Sequence, residues 1–98
     1  MSSKNKVKQE FVHFFKALAN EERMAMIGLI LENTEMFAQD IERQFYLEQS
    51  TTSHHLNILR KAGIMKTRKD GRKVFYSIDF DQFKVRWQEI GHRFFGIE

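Results

Sequence analysis

The chain has 98 residues, 42% of them apolar, with ten phenylalanines and neither cysteine nor proline. That composition supports one folded domain over 1–98 with a single small core, and it excludes disulfides, thiolate metal sites and thiol nucleophiles. The net charge of +3 conceals a concentration: residues 60–73 carry seven Lys and Arg against Asp70 alone, a local +6 that leaves −3 elsewhere, as a footprint for a polyanion would.

Taken in chain order, Val7, Phe11, Phe14, Phe15 and Leu18 recur three and four apart, which predicts an amphipathic helix over 7–18 with an aromatic stripe. Asn20 suits the cap of a second helix, with Glu21 and Glu22 in its favourable first turn. Met24, Ile27, Ile30 and Leu31 give that helix a buried side, and Asn33 a stop. A short third helix is expected over about 38–45, with Ile41 and Phe45 one turn apart and Tyr46-Leu47-Glu48 as a tight connection. A fourth runs over 49–62 and ends at Gly63, where a left-handed backbone is favoured. Thr52, Leu56 and Leu59 face inward on it with His55 alongside, and Gln49, Ser50, Thr51, Ser53, His54 and Asn57 face out. Residues 64–69 and 73–78 read as strands, the second with period two as Val74, Tyr76 and Ile78 alternate with Phe75 and Ser77, and Asp70-Gly71 lies between them as a hairpin signal. Asp79 and Asp81 precede a last helix in which Phe83, Trp87, Ile90 and Phe94 repeat at three and four. The expected class is mainly α with a small β-hairpin.

Two short helices joined by a tight turn, the second polar at its exposed front, make a helix-turn-helix. In that arrangement the second helix enters the major groove and its N-terminal residues meet base edges. Gln49 can bond adenine N6 and N7 together, while Ser50, Thr51 and Ser53 suit a base or a phosphate. His54 can donate to a base acceptor, and Asn57 lies one turn further along the same face. The free backbone donors of the helix front suit a phosphate oxygen. Arg68, Lys69, Arg72, Lys73 and Tyr76 on the hairpin complete the candidate DNA-contact set.

Gln49-Ser50, Ser53-His54-His55-Leu56, Leu59, Ala62-Gly63, Asp70-Gly71-Arg72 and Tyr76, preceded by the run from Phe14 to Arg23, resemble the ArsR/SmtB group of winged helix-turn-helix repressors over about residues 11–80. The resemblance implies a homodimer whose first and last helices form the interface, binding a palindromic operator in double-stranded DNA and blocking transcription. The aromatic content agrees, because Phe11, Phe14, Phe15, Phe83, Trp87 and Phe94, with Ile90 beside them, exceed what one small core needs. Three positions depart from the family pattern: Tyr46 stands where a glycine is usual, Glu48 where a serine is usual, and Thr52 where an aliphatic residue is usual. Glu48 is expected to weaken affinity or to shape the sequence preference.

Many members of that family respond to metal ions. The family's cysteine site is impossible here, and its last-helix site survives only as the spacing Asp79-x-Asp81 followed by His92, with Phe95 in the final ligand position. The expectation is therefore no cofactor and no metal, with Asp79, Asp81 and His92 as weak candidates. Adjacent helical residues point about 100° apart, so His54 and His55 do not share a metal. Two other readings are a winged helix that docks a protein partner, which the basic hairpin disfavours, and an enzyme, for which no orienting carboxylate or oxyanion donor is in place. No run approaches the roughly 18 apolar residues of a membrane span, and the start has no apolar leader, so a soluble cytoplasmic protein without a membrane partner is expected.

Overall fold

A computed structural model describes residues 8–97, so Val7 at the start of the expected first helix lies outside them. The order is α1 (Gln9–Leu18), α2 (Glu21–Asn33), β1 (Glu35–Phe37), α3 (Ala38–Phe45), α4 (Gln49–Lys61), β2 (Met65–Asp70), β3 (Lys73–Ile78) and α5 (Phe80–Phe95). Local chemistry sets most boundaries. Asn20 Oδ1 accepts from the Arg23 backbone N–H at 3.0 Å and starts α2. Asp79 Oδ1 accepts from the Gln82 N–H at 3.1 Å and starts α5. Gly63, at φ +78°, lets the chain leave α4 while Ile64 N–H bonds the Leu59 carbonyl.

One strand was not expected. The sheet is three-stranded and antiparallel in the order β1-β3-β2, because Glu35, Met36 and Phe37 pair with Ser77, Tyr76 and Phe75. Three residues after a helix stop carry too short an alternation to announce a strand, and β3 supplies the hydrogen bonds that make one. The hairpin turn also shifts by one residue. Asp70 is still paired, with Lys73, and the two-residue loop is Gly71-Arg72. Gly71 at φ +62° is the first loop position, where a right-twisting hairpin of this length takes glycine.

The helices pack on the inner face of this sheet. Phe11 and Phe14 from α1, Met26 and Ile30 from α2, Ile41 from α3, Leu56 and Leu59 from α4, and Ile90 from α5 meet Ile64, Met65 and Ile78 at the base of the hairpin. On α2 the inward line is Arg23, Met26 and Ile30, whereas Met24 and Leu31 are exposed and Ile27 is half-buried. Apolar residues surround most of that helix, so spacing alone did not determine which face turns in.

Helices α1 and α5 of the same chain pack together. The Phe11 and Phe94 rings lie 5.5 Å apart, Phe14 and Phe83 5.3 Å, and Arg86 Nη1 donates to Glu10 at 3.1 Å. Phe11, Phe14 and Ile90 are therefore core residues, at most 2% exposed, with no surface left for a partner. Phe15, Trp87 and Phe94 remain 42%, 54% and 46% exposed, Phe83 is half-buried, and Phe95 and Ile97 extend the apolar surface of the last turn.

Candidate nucleic-acid interface

Helices α3 and α4 form the helix-turn-helix. The turn closes when Tyr46 adopts a left-handed backbone (φ 54°, ψ 35°) and Leu47 N–H bonds the Glu42 carbonyl at 3.3 Å. Tyr46 thus takes the conformation that explains why glycine is usual there, and its side chain is 95% exposed. Glu48 is the N-cap of α4 without a side-chain capping bond, and the first helical bond runs from Thr52 N–H to its carbonyl. The amides of Gln49, Ser50 and Thr51 precede that bond at the helix front.

The outward set on α4 is as the spacing predicts. Gln49, Ser50, Ser53, His54 and Asn57 are exposed, Thr51 is half-buried, and Thr52, His55, Leu56 and Leu59 are buried. Asn57 Oδ1 accepts from Arg60 Nη2 at 2.7 Å, so that pair presents one combined polar group. Thr52, in its usually aliphatic position, is 1% exposed, and its hydroxyl has no partner among the described residues.

The hairpin residues divide by face. Met65, Thr67, Lys69, Val74, Tyr76 and Ile78 alternate onto the inner side, and Lys66, Arg68, Lys73, Phe75 and Ser77 onto the outer. Tyr76 is half-buried and packs against the core. Arg68 is engaged by Glu35 through bonds of 2.6 and 3.2 Å and lies 4.7 Å over the Phe75 ring. Lys73 covers the Phe37 ring at 5.4 Å. Lys69 and Arg72 are exposed cations next to the turn. The fold therefore employs Arg68 and Tyr76 internally, and Lys69 and Arg72 become the main candidates for phosphate.

Asp79 caps α5, Asp81 lies in its first turn and His92 in its last, so Asp79 and His92 are thirteen positions, about 20 Å of helix, apart within a subunit. Among the described residues no three His, Asp or Glu side chains gather as metal ligands. No described helix is long and apolar enough to cross a membrane. Arg23 and Glu22 were missed as partners of the α4 histidine. The signal was His55 itself, since an imidazole on an inward face needs polar partners.

A helix-turn-helix with a polar, uncapped second helix beside a basic hairpin defines a winged-helix DNA-binding protein. A family model described as bacterial regulatory protein, arsR family, matches residues 20–67. An HTH-type transcriptional regulator of Methanocaldococcus jannaschii is 41% identical over 76 residues, 78% of this chain and 85% of that one. The transcriptional activator HlyU of Vibrio cholerae is 35% identical over 84 residues, 86% of this chain and 76% of its own. Its solved structure aligns with a TM-score of 0.68, covering 88% of this chain and 92% of that one at 30% identity. A homodimeric winged helix-turn-helix DNA-binding domain from Mycobacterium bovis shares the fold at a TM-score of 0.70 and 23% identity, covering 83% of this chain and 75% of that one. The chain belongs to the ArsR family and is a DNA-binding transcriptional regulator.

Proposed function

We propose that the protein acts as a homodimer on a two-fold symmetric operator, with α4 in the major groove and the β2–β3 hairpin on the adjacent backbone. The observation that carries this reading is the front of α4: Gln49, Ser50, Ser53 and His54 are exposed together above amides that no side chain caps. Gln49 reads adenine, the hydroxyls and amides hold phosphate, and Lys69 and Arg72 add sequence-independent attraction. The remaining apolar surface of α1 and α5, led by Phe15, Trp87 and Phe94, pairs two subunits. The homodimeric solved relative supports that arrangement. Occupancy of an operator that overlaps a promoter represses transcription. The protein works in the cytoplasm with its DNA and performs no catalysis.

Selection of bound duplexes from a random pool, with zinc and with a chelator, tests the reading. The expected product is a palindrome with half-sites about one helical turn, roughly 34–36 Å, apart, the same in both arms. Recovery of no preferred sequence would overturn it.

A further inference from the structure

Arg23 lies in the first turn of α2, yet is only 9% exposed. Its Nε donates to the Ala17 carbonyl at 2.7 Å and its Nη2 to the Lys16 carbonyl at 2.9 Å. Both carbonyls belong to the last turn of α1, where helical partners run out. The remaining arm, Nη1, donates to Nδ1 of His55 on α4 at 3.1 Å. A guanidinium has donors only, so Nδ1 must be the acceptor and the ring proton sits on Nε2. From there it is donated to Glu22 at 2.9 Å. One guanidinium and one imidazole thus key three helices together directly behind the DNA-facing side of α4.

We propose that Arg23 is a positioning residue for DNA recognition: acting through His55, it fixes the rotation and tilt with which α4 presents Gln49 to His54. This rests on the docking of α4 in the major groove. A buried guanidinium carries a large desolvation cost, and an apolar side chain of similar volume would fill the space with less loss. Apolar contacts are also non-directional, so Leu56 and Leu59 alone leave α4 free to slide and turn on the core. The fan of bonds from Arg23 is directional. Bidentate reading of a base tolerates only about 0.5 Å and 10–20° of error. His55 is the neighbour of the exposed His54, so a fixed ring at one position fixes the backbone at the other.

The test compares affinity for the operator selected by the wild-type chain with affinity for an unrelated duplex of equal length. Both are measured at a temperature where circular dichroism shows each variant folded. Arg23→Met and His55→Leu are each expected to weaken operator binding roughly tenfold, while binding to the unrelated duplex stays within about twofold, because phosphate contacts set it. The double variant should be no worse than either single one, since both remove the same link. His55→Asn, whose Oδ1 can accept from Arg23, should keep most of the selectivity. Arg23→Lys keeps the charge but not the three-way reach, and carries the comparison if Arg23→Met does not fold. Equal weakening on both duplexes, or an unchanged ratio, overturns the role of Arg23. A wild-type chain that selects no sequence instead overturns the docking reading.

Discussion

Arg68 and Glu35 are joined across the intervening strand β3, the guanidinium donating to both carboxylate oxygens at 2.6 and 3.2 Å. The pair ties β1 to β2 on the outer face. The Arg68 hydrogen bond holds the Glu35 carboxyl below its usual value of 4.5; slight desolvation opposes this and the Arg68 charge reinforces it. A carboxyl depressed in this way supports the fold at pH above its ordinary value, and the support fades as pH falls through the lowered one. Both groups face water, so the effect on stability is small and sensitive to salt. Carboxyl-detected NMR should find Glu35 titrating below an ordinary glutamate, and back near 4.5 in Arg68→Ala. An unchanged titration in that variant would show that the clip does not persist in solution.

Thr52→Val should stabilise the protein. The hydroxyl of Thr52 is buried without a partner among the described residues, and valine has nearly the same shape without the unmet polar group. A gain of about 1 kcal/mol is expected, seen as a melting temperature higher by about 4–8 °C. Operator affinity should not change, because the side chain faces the core. A lower melting temperature would mean that the hydroxyl finds a partner in solution.

Tyr46→Gly should also stabilise, by up to about 1 kcal/mol, since a left-handed backbone strains any residue with a Cβ. The ring makes up little of the difference, being 95% exposed. Equilibrium denaturation with urea measures the change. A loss of stability would show that the ring packs against something in solution.

Arg72→Ala should weaken binding to every duplex alike. Each lost phosphate contact flattens the slope of log affinity against log salt by about 0.9, hence about 1.8 for a symmetric pair of subunits. A loss confined to one sequence would instead assign Arg72 to base reading.

Trp87→Asp should yield monomers in light scattering, with poor operator binding. Trp87 is 54% exposed and stacks on Phe83 at 6.4 Å with an interplanar angle of 10°, so its free face is a flat apolar plate. A variant of normal dimer mass would relocate the subunit contact.

Much of this molecule was legible residue by residue. Asn20 caps α2, Gly63 ends α4, and the outward set from Gln49 to Asn57 falls where helical spacing puts it. These features depend on nearest neighbours along the chain. What escaped depends on distant ones. Periodicity says that Phe11 and Phe14 share a face, but not that α5 of the same chain covers it. Arg23 in a helix's first turn reads as a solvated charge until the α1 carbonyls and His55 are folded against it. Arg68 reads as a free cation until β1, a strand too short to foresee, brings Glu35 alongside.

Among the described residues, the strand order β1-β3-β2 leaves β2 with one unpaired edge, six residues long. An open edge of that length invites strands from other molecules, and lysines along it discourage them. Lys66, Arg68 and Lys69 lie along that strand, so their charges guard against aggregation. Neutralising several of them at once should cost soluble protein, visible as turbidity on concentration, before any question of operator affinity can be asked.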